Sequence, residues 1–583
     1  MKRLLVTTVL LSLFVLISAK SPIEFKYTTS IAPKDGVPGW QNKRVNQHVN
    51  DDLYSDYSGI MAPGMPQIRF EPVGLTNAIK KDRFDISRAE LMDKIRGGWL
   101  GQAVGVCYAL PTEFKYRSKM IPDSIQMNLT GDYLKEKFNN DDIYVDAKCL
   151  EVIGRLGLDA PADSFAIAFA NAGFRLFHAN QAARYNILNG IMPPQSGHWK
   201  NTMHADDIDF QIEADFIGLS SAGVPKAAIE LAEKVGHIMN YGDAYYSGVY
   251  AAAMYSLAFL SKEEEFVVKE ALNIIPPESK FHQAMSDVIA WHKQYRDDWK
   301  KTWHAIENSD WSYDLHCPNG IYAPFNIDAT VNMAYVLVGL LYGDGDFKKS
   351  MDIAMRCGQD SDCNSSTVGG IMGTLMGYSN IPEEWRSSYK EVEHIKINHM
   401  DVSLNDCHDI CFKSSMENIL KYGGKDKGDV VEVHYQKPDI LPLEIAYPDI
   451  YPSGKIAINK SVKEAGKIQF TGTGIVIQYN MPGGAMKTKA RSDLDKEFAK
   501  YVAEIEVTVD GKKQTVRKLP DNPHSRALEL YFNLELQKGA HIVELNWLNP
   551  VDRLDVFVSD VIIFSDELVK VEYPASEALP LRF

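Results

Sequence analysis

The chain is poor in cysteine for its size: seven in 583 residues, at Cys107, Cys149, Cys317, Cys357, Cys363, Cys407 and Cys411, an odd number without dense spacing. That excludes a disulfide-stapled scaffold and points to buried thiols. Cys407, His408 and Cys411 fall within a helical turn, but no second pair completes a zinc motif, so they read as packing. Cationic surface is lacking too. The formal charge is -15 and no stretch concentrates Lys and Arg, which excludes a nucleic-acid footprint. Beyond the first residues no apolar run is long enough to cross a bilayer, so no span is expected in the mature chain.

What the N-terminus does contain is a short signal. Lys2 and Arg3, the apolar run Leu4 to Ile17, and Ser18-Ala19 read as a secretory peptide over residues 1–19, cleaved after Ala19. No cysteine lies near residue 20, which argues against a lipoprotein, and the mature chain is expected to be exported, periplasmic or extracellular. Residues 20–85 are polar and interrupted by Pro and Gly, as in Ala62-Pro63-Gly64-Met65-Pro66, and predict an irregular arm.

From 86 to 424 the pattern is helical, rich in Ala, Leu, Met and Glu. Gly97, Gly101 and Gly105 recur at every fourth position, as do Gly369, Gly373 and Gly377, predicting two helices with a bare stripe in close contact. After Gly423-Gly424-Lys425-Asp426-Lys427-Gly428, which reads as a linker, strands take over. Ile505, Val507 and Val509 alternate before the hairpin signal Asp510-Gly511, and Ile475, Ile477, Tyr479 and Val543, Leu545, Trp547 repeat the pattern. The expected architecture is multi-domain: an all-α bundle, then an all-β sandwich of jelly-roll type over residues 430–583.

Two acidic pairs carry the chemistry. Asp141 and Asp142, preceded by Asn140, open a helix whose apolar positions include Ile143, Cys149, Val152 and Ile153. Asp360 and Asp362 open the second glycine helix. Acidic residues and Asn suit helix N-termini as caps, but capping needs only one of them, and pairs on separate elements can surround a hard divalent cation with oxygen. Glu113, after Pro111-Thr112 at the end of the first glycine helix, is the acid/base candidate.

At this point a resemblance enters. Arg96-Gly97-Gly98-Trp99-Leu100-Gly101-Gln102-Ala103-Val104-Gly105 through Pro111-Thr112-Glu113-Phe114, then Asn140-Asp141-Asp142-Ile143, then Tyr342 to Phe347 and Gly358-Gln359-Asp360-Ser361-Asp362-Cys363-Asn364 resemble, in order and spacing, the ADP-ribosylglycohydrolase family. The resemblance implies an all-helical bundle in which Asp141, Asp142, Asp360 and Asp362, with Asn140, hold one or two Mg²⁺ or Mn²⁺ ions. It also implies that Glu113 handles protons while a glycosidic bond at the anomeric carbon of an ADP-ribosyl or similar ribofuranosyl sugar is cleaved. Val106, Asn140, Ile143 and Cys363 depart from the family pattern, and a cysteine where an oxygen donor is usual favours one hard ion over two.

For substrate, the acidic segment around Asp207 and Asp209 is similar to a stretch of helical family members, and His237, Asn240, Tyr241 and Asp243 are placed in a sugar-facing loop. Export makes a furanose-bearing glycan or small molecule as plausible a substrate as an ADP-ribosyl group. The alternative is a non-catalytic sugar-binding or structural member. The sandwich is similar to galactose-binding-like modules, and Tyr479, Tyr531 and Trp547 read as its core.

Overall fold

The computed structural model describes residues 82–481, 501–520, 522, 524–552 and 554–568. The expected signal peptide and nearly all of the expected arm lie outside the described residues. The arm's last residues do not continue it: Arg83–Ser87 is a strand (β1).

The helical domain is ordered by one long helix, α1 (Arg88–Ala109), capped by Ser87, whose hydroxyl accepts the Glu90 amide. Seven helices bear on the site or its support: α1, α2 (Asp141–Leu156), α3 (His178–Leu188), α4 (Asp243–Leu257), α5 (Ala329–Tyr342), α6 (Ser361–Met376) and α7 (Leu404–Lys421). α1 and α6 are buried over almost their whole length and pack backbone to backbone. A Cβ on Gly97, Gly101 or Gly105 would collide with the carbonyl oxygen of Gly373, Gly369 or Ser365 respectively. The conformational cost of interior glycine is thus offset by an approach that no other residue allows. Trp99, Trp303, Tyr250 and Tyr335, all fully buried, fill the surrounding core. The Cys407–Cys411 turn lies in that packing too, with His408 joined to the Tyr389 hydroxyl at 2.8 Å.

Lys425–Asp426 (β2) and Val430–His434 (β3) do not begin the sandwich. β3 pairs antiparallel with β1 and with β2 in a three-stranded sheet, and Val431 and Val433 enter the helical core. The domain boundary therefore falls later than the glycine-rich segment suggests. An apolar alternation announces a strand without naming its partner, and here the partner is 340-odd residues upstream. The true connection, residues 436–450, runs along the helical domain: Leu441 donates its amide to Ile274 at 2.9 Å, and Tyr246 donates to the Pro442 carbonyl at 2.8 Å.

The sandwich follows as eight strands: β4 (Tyr451–Ser461), β5 (Lys467–Gly472), β6 (Gly474–Asn480), β7 (Val502–Val509), β8 (Lys512–Pro520), β9 (Glu529–Asn533), β10 (Gly539–Trp547) and β11 (Phe557–Ser565). They form two four-stranded antiparallel sheets, β5-β10-β7-β8 and β4-β11-β6-β9. Ile477, Ile505, Val507, Val543, Val561 and Ile563 meet between them. Tyr479, Tyr531 and Trp547 are core or half-buried; the Trp547 indole donates to Tyr501 at 3.0 Å and the Tyr479 hydroxyl to Ala527 at 2.9 Å. The other face of the β4-β11-β6-β9 sheet covers the helical domain, where Val476, Phe532, Ile562 and Phe564 pack with Trp199, Met203, Ile321 and Tyr322. Among the described residues no helix is long and apolar enough to cross a membrane.

Candidate active site

The antiparallel contact of α1 with α6 decides where the chemistry is. It brings the end of α1, with Glu113, against the start of α6, with Asp360 and Asp362. Thr112 and Ser361 join hydroxyls at 2.9 Å, the Phe114 amide donates to the Gln359 carbonyl at 2.9 Å, and the Gln359 amide returns to Tyr116 at 3.0 Å. Phe114 and Gln359 both adopt positive φ, at 48° and 53°, conformations that cost energy in non-glycine residues and persist because this exchange holds them.

Asp360, Asp362 and Cys363 present ligand atoms within 4.8 Å of one another. The first turn of α2 reaches the same place, since the Cys363 thiol lies 3.6 Å from Asp142 Oδ2. Capping does not account for Asn140 or Asp360, since neither Asn140 at the head of α2 nor Asp360 at the head of α6 caps its helix through its side chain. Instead Asn140 Oδ1, Asp142 Oδ1 and Asp362 Oδ1 are buried without a hydrogen-bond partner among the described residues. Such oxygens are costly unless something electropositive fills the space between them.

The electrostatics agree. Burial, then the Asp141 charge, pushes Asp142 up to about 8. Asp360 rises well above the carboxylate range through burial, then through Glu113 and Asp142, and Asp362 does so through burial, then Glu113, Asp360, Asp142 and Asp141. Asp141, only half-buried by surface, is raised by the crowding of protein around its carboxyl and eased by His178 and Arg175. Glu113 keeps much of its side chain open, yet its carboxyl is raised first by desolvation, then by Asp141. These mutual influences place the five acids in one neighbourhood. An all-oxygen donor set with orphaned oxygens fits a hard divalent cation such as Mg²⁺ or Mn²⁺. Phe114 packs tilted against Phe325 at 4.6 Å, and Phe325 stacks on His178 at 5.7 Å, an aromatic wall beside Glu113 that the sequence did not announce.

The other sequence candidates have different places. Asp209 turns inward and caps α3, accepting the amides of Ala179 at 3.2 Å and Asn180 at 3.0 Å. Asp207, 1% exposed, accepts His204 at 2.7 Å. Asn240 is a scaffold: fully buried, it accepts the Phe210 amide and donates to the Ala205 and Asp207 carbonyls. Asp243 holds the Phe281 amide at 2.9 Å beside Lys280. His237 pairs with Glu444 of the connection at 3.0 Å, and Tyr241 packs tilted against His198 at 4.3 Å. No direct contact joins these last four to Glu113 or the aspartates among the described residues. Polarity in a loop marked them as ligands, whereas their bonds hold the loops and the connection together.

The family model described as ADP-ribosylglycohydrolase matches residues 87–407, more than half of the chain. A solved structure described as an ADP-ribosylglycohydrolase-related protein complex is 13% identical, with a TM-score of 0.38, covering 57% of this chain and 99% of its own. Among curated proteins none matches.

Proposed function

Because the chain belongs to the ADP-ribosylglycohydrolase family, we propose that it is a divalent-metal-dependent hydrolase that cleaves the glycosidic bond at the anomeric carbon of a ribofuranosyl-like sugar. What supports the reading is the meeting of Asp141, Asp142, Asp360 and Asp362, with orphaned buried oxygens, next to Glu113. Asp141, Asp142, Asp360 and Asp362, with the Asn140 carbonyl, would hold Mg²⁺ or Mn²⁺. When bound, that ion supplies Lewis-acid polarisation of sugar hydroxyls and water.

The chain's own groups do the rest. Glu113, raised by desolvation and by Asp141, holds a proton closer to neutrality than a free glutamate and can pass it to the leaving oxygen, then take one from water. The paired rings of Phe114, next to Glu113 in the chain, and Phe325 offer an apolar surface to a sugar or base. The Lys2 to Ala19 signal reading supports an exported enzyme, and with it a furanosyl glycan over an ADP-ribosylated protein.

Incubation with ADP-ribosyl-arginine, ADP-ribosyl-serine and a panel of aryl furanosides, with Mg²⁺, Mn²⁺ or EDTA, tests this. Metal-dependent release of sugar, lost in Glu113→Gln, is the expected result. Turnover of the furanosides alone would assign the glycan substrate. No turnover of any member by protein that binds the ion would reject catalysis and leave a sugar-binding or structural member.

A further inference from the structure

Four side chains outside the oxygen-rich set converge on one point: His178 at the head of α3, His204 and Asp207 in the loop after it, and Cys317 far downstream, each with one donor atom within 4.8 Å of the others. We infer that they form a second metal centre for Zn²⁺ or a similar borderline cation, with ligands of its own and bordering the hydrolase site through His178, which locks the sandwich onto the helical domain.

The donor set decides the metal class. Two imidazoles, a thiolate and a carboxylate suit zinc and are wrong for Mg²⁺. Bond lengths of zinc to N, O and S at tetrahedral angles require N···O edges of about 3.4 Å and N···S edges of about 3.6 Å. His178 Nδ1 lies 3.3 Å from Asp207 Oδ2, and Cys317 Sγ lies 3.7 Å from His204 Nδ1 and 4.0 Å from His178 Nδ1. Of these four separations the His204 Nδ1 to Asp207 Oδ2 one, 2.7 Å, is well short of the tetrahedral edge, as befits a hydrogen bond that opens once a cation replaces the proton between the atoms.

Three further observations point to an ion. Asp207, His204 and Cys317 are at most 3% exposed. The other carboxylate oxygen of Asp207 is buried without a partner among the described residues. Finally, the far nitrogen of His204, Nε2, meets Glu529 of β9 at 2.9 Å. A carboxylate on the outer nitrogen of a ligating imidazole fixes its tautomer and orientation and strengthens it as a ligand. Here that carboxylate comes from the other domain. Ile208, Phe325 and Ile327 surround Cys317 with apolar side chains, a dry setting for a structural centre with no open coordination position.

The rival account is a metal-free pin, His204 as an imidazolium between Asp207 and Glu529. Zinc content after growth with added Zn²⁺ and gel filtration, and absorption of the apoprotein titrated with Co²⁺ alone, separate the two. The expected results are about one zinc per chain and a thiolate-to-cobalt charge-transfer band. Because Cys363 lies by the oxygen set, the band must survive Cys363→Ser and vanish in Cys317→Ser. Glu529→Gln, which spares all four ligands, should keep the band but weaken zinc binding about 10- to 100-fold. Folded wild type, checked by circular dichroism, that retains no zinc and gives no band would overturn the proposal, as would a band that persists in Cys317→Ser.

Discussion

The helical domain holds two clusters of would-be ligands, and they are built in opposite ways. The four carboxylates of Asp141, Asp142, Asp360 and Asp362 offer only oxygen, with the Cys363 thiol beside them; they come from the first turns of two helices, one of which is held against the Glu113 end of α1 by the glycine contact. The set of His178, His204, Asp207 and Cys317 mixes nitrogen, sulfur and oxygen, comes mostly from loops, and is buttressed by a strand of the other domain. Helix termini gather acids that suit a hard cation beside the exposed Glu113. Loops held by an inter-domain carboxylate close around an ion that has nothing left to do but hold.

The comparison is broken most severely by removing ligands from one set and watching the other. Asp360→Ala with Asp362→Ala should abolish Mg²⁺ binding by calorimetry and lower turnover by about three orders of magnitude or more, since metal assistance is worth several kcal/mol. Zinc content should stay at the wild-type value. If zinc were lost in parallel, or if Mg²⁺ binding were unchanged, the two sets could not be separate centres of the kind described.

Next in size is the spacing of the helix pair. A methyl at position 101 would run into the Gly369 carbonyl, so Gly101→Ala should cost about 3 kcal/mol, the upper end of ordinary overpacking, read as a lowered denaturant midpoint. Whatever protein remains folded should have weakened Mg²⁺ affinity and intact zinc, because none of His178, His204, Asp207 and Cys317 lies on α1 or α6.

These contrasts also explain what a reader of the sequence can and cannot find. The acid pairs are legible because acids at helix starts are local patterns, and the glycine stripes announce the contact that brings Glu113 to one of them. Alternating strands announce the sandwich in the same way. The second set is not legible: His204 and Glu529 stand 325 residues apart, and no spacing rule connects them to Cys317. Asp209 and Asn240 show a different limit. Residue type gives a side chain's capacity for bonding but not its direction, and both spend that capacity on neighbouring backbone. The placement of β3 fails likewise, because β1, its partner, is remote in sequence.

The opposite end of the same helix pair offers a smaller test. Lys94 is 3% exposed and donates to the carbonyls of Ala258, Thr374 and Leu375 at 2.9–3.0 Å, joining the C-terminal ends of α4 and α6. Lys94→Met orphans those carbonyls and should cost about 2 kcal/mol without altering either metal content. Burial lowers the Lys94 pKa from 10.5 to about 8, so the unfolded chain binds this proton more tightly than the folded protein. The wild type should therefore gain stability relative to the variant as pH rises from about 8 toward 10.5 in paired denaturation curves. A constant difference would show that the carbonyls fully offset burial.

The smallest effect bears on the single soft atom in the hard set. Cys363 sits 3.6 Å from Asp142 Oδ2, where a thiol gives Mg²⁺ almost nothing and a hydroxyl could add a donor. If one neutral donor contributes about 0.5–1.5 kcal/mol net, Cys363→Thr should tighten Mg²⁺ binding by roughly two- to tenfold, measured by calorimetry. Zinc content should not change, because Cys363 is no member of the mixed set. Unchanged Mg²⁺ affinity would mean that the ion rests on the carboxylates alone and never approaches the head of α6 at Cys363. It would then be held by the oxygens that Asp142 and Asp362 leave unpaired, with Cys363 a packing residue beside them.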